Sequence, residues 1–521
     1  MKLSSVGYIW LFRLVLHFVN SIILFDSRGI YAFQFHQSIV PRSKASHSAR
    51  QRRISNACSI NLSDAELPEI ENVERIFAIS DLHTDNTENI EWLKEMCYSH
   101  KINNSIGPND AIIIAGDISH ELSTLRETFC VIKEYLNCHI FFVWGNHEAW
   151  IGGQEMDSLG VESSLQKIEL VKLLCDTLDI HTECRLVGTG NDNPVCILPI
   201  ESWYDATLSL NDCEDLCVKF DSWRWVDFMR CVWPEDKVLM RASSIISRSN
   251  QIFLNTMSAQ NTGQIPKGLT EILAYHNSKS IKKVRNMYNN WVNNDYSFIS
   301  KKNGMRENRS KPPGLITFSH FLPNQKTLPD WKDPTSDSFN RDEWLDHPVP
   351  EISAKFAKVA GSMLIDDQIR SVIPYNQFDS SQPVQHLHLF GHSHRPKDFV
   401  YDNIRYIHNP LGKPAEREMN MVSQNVGFQL IWDCTSESLK SQQLSYEQSA
   451  NDNIRISSVG VGGGEIAGRQ VIRYWEEQGG GKEVLARKMK HRRRRNRLEV
   501  KRFVRELELT RQSLNSPETN K

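Results

Sequence analysis

An α/β fold, with a sheet covered on both faces by helices, is what this chain predicts, and three observations predict it. Between residues 70 and 150, short apolar runs alternate with amphipathic stretches at helical spacing. Strand, helix, strand, helix, strand with nearly continuous apolar strands is the pattern of a sheet buried on both sides. The same grammar returns between residues 314 and 394, and each of these runs stops at polar residues. In such sheets the functional groups gather beyond the carboxyl ends of the strands.

The folded body starts near Glu69. "ERIFAISDLH" supplies a strand over residues 76–79 that runs into Asp81 and His83. In "NTENIEWLKEMC", Asn86 is a candidate N-cap, and Ile90, Leu93 and Cys97 share one helical face. The next strand, 111–115, ends in Gly116 and Asp117; Leu122, Leu125, Phe129, Ile132 and Leu136 then keep helical spacing. A third strand, 140–144, ends in "GNHE", where Gly145 turns the chain and presents Asn146 and His147. In the second half, "GLITFSHFLP" ends the run 315–318 on Ser319 and His320, and "QHLHLFGHSHRP" ends 386–390 on Gly391, His392, Ser393 and His394. Five strands thus deliver Asp81/His83, Asp117, Asn146/His147, His320 and His392/His394 to one candidate rim.

Taken alone, "GNH" is ordinary turn chemistry followed by a surface histidine. The repetition over five strand ends points instead to a metal site. In an extended chain residues i and i+2 face the same way, so Asp81 and His83 can close on one cation, while His392 and His394 can reach two adjacent ones. A carboxylate such as Asp117 has two oxygens and can bridge two metals about 3.5–4 Å apart. The glycines before Asp117, Asn146 and His392 allow the tight turns this needs. Nitrogen and oxygen donors without thiolate suit manganese, iron or zinc better than a structural zinc knot.

The ordered motifs D-x-H, G-D, G-N-H-[DE], an isolated His and G-H-x-H, each behind an apolar run, resemble those of the calcineurin-like metallophosphoesterases. The resemblance covers roughly residues 70–420, including "SWYD", "WPED", "VAGS" and "IRYIHNPLGKP". It implies a four-layer α/β/β/α sandwich of two mixed sheets flanked by helices. It also implies two divalent or trivalent metal ions, one held by Asp81, His83, Asp117 and His394. The other is held by Asp117, Asn146, His320 and His392, with Asp117 shared. His147 is then no ligand but a catalytic residue beside the scissile phosphate, which stabilises phosphoryl charge or protonates the leaving oxygen. The hydroxide between the metals is the implied nucleophile, cleaving a phosphomonoester or phosphodiester.

Departures narrow the subgroup. "GDISHEL" carries no Asp-Arg-Gly, unlike the protein Ser/Thr phosphatases, and it puts His120 where purple acid phosphatases have a metal-binding Tyr. His120 is expected behind the ligands or at the surface rather than among them. Arg395, beside the last ligand, is a candidate to bind substrate phosphate, and equally a candidate for a surface pair. Trp203, Tyr204, Trp223, Trp225 and Trp233 are expected as core, with a pocket lining as the alternative.

Composition sets the remaining bounds. The chain has 521 residues, is 40% hydrophobic and 24% charged, and has a net charge of −2, so nothing global points to nucleic acid or an acidic substrate. Its 11 cysteines form no CxxC pair and read as reduced thiols, with Cys213 and Cys217 on a helix face. Residues 1–32 read as a signal peptide and 33–64, free of acidic residues until its end, as a transit peptide. Together they resemble a bipartite plastid-targeting leader; a secretory signal or membrane anchor with a linker is the alternative. The metallophosphoesterase body spans 65–435, with a polar insertion at about 238–310 expected over the rim of the site. Residues 436–521 form a Gly-rich linker and a basic helical tail, "ARKMKHRRRRNRLEVKRFVRELELTRQ". Its basic block suits an anionic partner, RNA or a membrane surface, or else stays a solvated tail. Two other functions stand beside the phosphoesterase: a nuclease on the same scaffold, and a non-catalytic metal-stabilised interaction scaffold.

Overall fold

Along β3 (Asp110–Ala115), Ala111 and Ile113 pack into one hydrophobic cluster while Ile112 and Ile114 pack into another. Successive side chains of a strand point to opposite faces, so a run that is apolar throughout separates two cores. The computed structural model describes residues 67–152, 160–209, 220–234, 264–292, 312–329, 350–373, 384–418 and 426–435, with short pieces between. The leader segments 1–32 and 33–64, the tail 436–521, Cys213 and much of 238–310 lie outside the described residues.

The strands of the two main sheets are β1 (Glu69–Ile70), β2 (Arg75–Ile79), β3, β4 (His139–Val143), β5 (Arg185–Val187), β6 (Val195–Pro199), β7 (Gly314–Phe318), β8 (His386–Leu389), β9 (Lys397–Tyr401), β10 (Ile404–His408) and β11 (Gln429–Asp433). The first sheet has the order β11–β2–β3–β4, parallel except for β11. The second runs β1–β5–β6–β7–β8–β10–β9. In it β6, β7, β8 and β10 are parallel, β5 pairs antiparallel with β6 and parallel with β1, and β9 pairs antiparallel with β10. Both sheets are therefore mixed. They face one another across a core in which Ile76, Ala78, Ile113 and Val143 of the first meet Ile197, Ile316, Phe318 and Leu387 of the second.

Helices cover the outer faces, which makes the fold the α/β metallophosphoesterase sandwich. Helices α1 (Thr87–Ile102) and α2 (Leu122–Leu136) bring Leu93, Phe129 and Ile132 to the same cluster as Ile112 and Ile114. Asn86 precedes α1 in extended conformation, but its amide donates to the His83 carbonyl at 3.1 Å instead of capping the helix. After β4 come α3 (Asn146–Ala149) and α4 (Ser164–Thr177), the latter opened by a Ser163/Gln166 capping box. Next is the short α5 (Asp227–Arg230), then α6 (Leu269–Val292), α7 (Pro350–Val359), α8 (Met363–Ser371) and α9 (Pro414–Glu418). Helix α6 lies in the segment expected as an insertion over the rim, yet it buries Ile272, Leu273, Ile281, Val284, Met287 and Tyr288. The Tyr288 hydroxyl reaches the Pro313 and Gly314 carbonyls at the start of β7, at 3.1 and 2.9 Å. Trp203, Tyr204 and Trp233 are core; Trp223 and Trp225 are half-buried. Among the described residues no helix is long and apolar enough to cross a membrane.

Candidate metal centre

The parallel strands β2, β3 and β4 of one sheet and β7 and β8 of the other end at a single place. Backbone hydrogen bonds tie the loops together: Asp81 N–H to Gly116 O at 3.0 Å, His83 N–H to Asp117 O at 3.0 Å and Gly391 N–H to His320 O at 2.8 Å. Across the sheets, the His392 N–H donates to Asp81 Oδ1 at 2.9 Å. Asp81, His83, Asp117, His392 and His394 all have φ between 43° and 72°. Non-glycine residues in this left-handed region are strained, and such strain persists where the surroundings over-determine a functional geometry. Close packing enforces it. A Cβ on Gly145 would overlap the Asp117 carboxylate, and one on Gly391 would stand 2.8 Å from the Ala115 carbonyl.

Asp81, His83, Asp117 and His394 each bring one donor atom within 4.8 Å of the others, and Asp117, His320 and His392 do the same. Asn146 joins the second group: its Oδ1 lies 3.1 Å from His320 Nε2 and 2.9 Å from His392 Nδ1. In the first group His83 Nε2 and His394 Nε2 stand 2.8 Å apart. A third group, His83, Asp85 and His147, shares His83 with the first. His147 lies at the edge, its N–H bonded to Asp117 Oδ1 at 3.0 Å, its ring stacked on Trp150 at 3.7 Å and 4.5 Å from the ring of His83. Arg395 has Nη1 3.3 Å from the His394 carbonyl. His120 belongs to neither main group, and its Nδ1 stands 3.4 Å from Asp85 Oδ2.

The donor set fits metal ions. Three imidazoles each engage one nitrogen outside the cluster and leave the other facing in: His320 Nδ1 with Ala115 O at 2.9 Å, His392 Nε2 with Val359 O at 3.0 Å, and His394 Nδ1 with Glu416 Oε2 at 2.8 Å. That is how metal-binding histidines are oriented, the outer bond fixing the tautomer and the ring. The buried Nδ1 atoms of His83 and His147 have no hydrogen-bond partner.

Electrostatics follow from burial and close charge. Burial alone would raise both aspartates, but the His408 hydrogen bond and the nearby imidazoles hold Asp81 below the usual carboxylate range, and His320 and His147 do so for Asp117. Burial depresses His147 and His392 to about 3, so both imidazoles are neutral. His320 goes the other way, to about 9, because the Asp117 charge outweighs its burial. Burial would also raise Glu416, yet His394 brings it down to about 2.

The sequence reading missed several residues that hold this arrangement. Glu148 is buried, and its carboxylate accepts the N–H groups of Gly145 and Ile118 at 2.7 Å and of Asp117 and Ser119 at 3.1 Å. Burial, and then the Asp117 charge, raise it to about 7 against the pull of these amides. His408 Nε2 stands 3.0 Å from Asp81 Oδ2. Buried Lys167 donates to the carbonyls of His120 and Trp150. Asp227 receives the Asn146 amide. Glu148 stood inside "GNHE" and His408 inside "IRYIHNPLGKP"; Glu416, Lys167 and Asp227 carried no local signal.

The two mixed sheets thus carry, at their strand ends, a buried cluster of aspartates and histidines able to hold metal. Residues 74–396 match the calcineurin-like phosphoesterase family, and the chain belongs to it. No curated protein matches the chain. Among solved structures it is similar to phosphopantetheinyl hydrolase from Mycobacterium tuberculosis, with TM-score 0.39 and 16% identity over 69% of this chain and 96% of that one. It is also similar to a protein of unknown function from Aquifex aeolicus, with TM-score 0.14 and 15% identity over 28% and 71%. A third is the cold-active protein-tyrosine phosphatase of a psychrophilic Shewanella, with TM-score 0.22 and 11% identity over 67% and 75%.

Proposed function

We propose that the protein hydrolyses a phosphomonoester or phosphodiester at a dinuclear metal centre. Asp81, His83, Asp117 and His394 would hold one ion, and Asp117, Asn146, His320 and His392 the other. The observation that carries this reading is that the two buried donor groups meet at one residue, Asp117. Two bound cations, of the manganese, iron or zinc class that these donors suit, supply charge neutralisation and a water acidified enough to attack phosphorus near neutral pH.

The protein's own part is positioning. Neutral His147, held by its stack on Trp150 and by the bond from its backbone N–H to Asp117, has ring Nε2 3.8 Å from Asp117 Oδ2. From there its imidazole can donate to a phosphoryl oxygen or to the departing ester oxygen. Arg395, at the last ligand, is a second candidate to grip phosphate. The leader and the basic tail support plastid import and an anionic partner, respectively. A fluorescent fusion of residues 1–64 and a comparison of the chain with and without 436–521 test these two readings.

The test of the central reading strips the chain of metal, restores manganese, iron or zinc, and follows nitrophenol release from the phosphomonoester and from the matching diester. Metal-dependent turnover should fall about 10²–10⁴-fold in His147→Ala and disappear in Asp117→Asn. Preference for the diester, with nucleic acid cleaved as well, would move the reading to a nuclease. Metal uptake without turnover of any ester would leave the interaction scaffold.

A further inference from the structure

We infer that Asp227 is a positioning residue that turns the Asn146 amide oxygen toward the second ion. The inference rests on the dinuclear reading above and concerns one of its ligands. The Asp227 side chain is buried, and its carboxylate accepts four hydrogen bonds, none from a cation. Oδ1 receives Asn146 Nδ2 at 2.9 Å and Trp150 Nε1 at 2.7 Å, and Oδ2 receives Trp225 Nε1 at 2.8 Å and the Tyr204 hydroxyl at 3.1 Å.

An asparagine amide has two ends of nearly equal size and opposite chemistry, and only the oxygen can bind a metal. Nothing in the shape of the side chain selects that end. A carboxylate behind it does, because it accepts from the NH2 and repels the carbonyl oxygen. With Nδ2 bonded to Asp227, Oδ1 is left facing His320 Nε2 and His392 Nδ1. A flipped amide would bring oxygen against the carboxylate and NH2 against the ion. The same carboxylate holds the indole of Trp150, on whose ring His147 stacks. Helix α5 is itself pinned to that loop, since the Ile151 N–H donates to the Arg230 carbonyl at 2.9 Å. One group, 81 residues from Asn146 in sequence, thus aligns a ligand and the support of the catalytic imidazole.

The experiment is a Mn2+ titration of the metal-free full chain, by calorimetry and by electron paramagnetic resonance, in wild type, Asp227→Asn, the swap Asn146→Asp/Asp227→Asn, and Tyr204→Phe. Asp227→Asn should weaken the second ion about 10–100-fold, the usual effect of losing an outer partner of a ligand, and leave the first ion unchanged. The swap should restore the second ion, because a carboxylate at 146 has no wrong end and the amide at 227 can donate to it. Tyr204→Phe, which removes a donor to Asp227 but not the Asn146 bond, should bind both ions as wild type does. Should Asp227→Asn not fold, the swap, which conserves volume, charge and the polar pair, carries the test, and loss of its second ion overturns the inference. Unchanged affinities in Asp227→Asn overturn it too. So does equal weakening of both ions without rescue, which is what a merely structural role gives. A wild-type chain that takes up fewer than two ions overturns the dinuclear reading itself, a result visible before any variant is examined.

Discussion

Acid should unfold the metal-free chain through groups that take no part in the metal centre, and His386 gives the cleanest case. His386 and His388 lie on one face of β8, exposed to 3% and 0%. The Thr317 hydroxyl stands 3.1 Å from His386 Nε2 and 2.9 Å from His388 Nδ1, and the Ser319 hydroxyl 3.1 Å from His388 Nε2. A hydroxyl with one proton donates to one ring and accepts from the other, a chain that neutral imidazoles satisfy. Burial, reinforced by Arg370, lowers His386 from 6.5 to about 3, and burial holds His388 well below its ordinary value. The unfolded chain therefore binds more protons than the folded one between these limits. Stability is full above the unfolded value and is lost as pH falls through the window. At ~1.4 kcal/mol per pKa unit, lowering the pH from about 6.5 to about 5 removes about 2 kcal/mol through His386 alone, against a total of about 5–15 kcal/mol for an ordinary domain. His386→Gln keeps a hydrogen-bonding amide but cannot titrate. Urea denaturation in chelator at a series of pH values should show a wild-type loss about 2 kcal/mol larger than the variant's over that interval. Parallel pH dependences in the two proteins would refute the reasoning.

Three further substitutions probe the supports of the centre. Glu416→Ala frees His394 Nδ1 of its partner at 2.8 Å; metal affinity should fall about 10–100-fold, and an unchanged metal titration would remove Glu416 from any orienting role. Lys167→Met leaves the His120 and Trp150 carbonyls without their ammonium donor. At about 1–3 kcal/mol for each buried group left unsatisfied, the loss should appear as a clearly lower melting temperature, and an unshifted melt counts against it. Gly145→Ala puts a methyl group into the Asp117 carboxylate and 2.7 Å from the His320 ring. It should cost uptake of both ions while the far-ultraviolet circular dichroism stays that of the wild type, and normal metal content would show that the loop has room to move.

Strand ends and the candidate metal donors at them are legible in the sequence because both are local. Apolar runs over four to six residues followed by Asp81, Asp117, Asn146, His320 or His392 report a buried strand and its rim without any distant partner. Helices α1 and α2 declared themselves by apolar spacing, and α6 did not, because its buried residues are spread among Lys, Asn and Ser over 24 positions. Sheet order was out of reach for another reason. The last strand among the described residues, β11, returns to pair antiparallel with β2, and β10 inserts between β8 and β9, choices made by packing between segments far apart in sequence. Tertiary structure alone also decided which way these candidate donors point. Glu148 gathers four backbone amides, Glu416 and the Val359 carbonyl set two imidazoles, and Asp227 sets the Asn146 amide. A residue type with a short spacing identifies a donor atom; its orientation depends on a hydrogen bond to a group brought near only when the chain has folded, and such a partner leaves no periodicity to read.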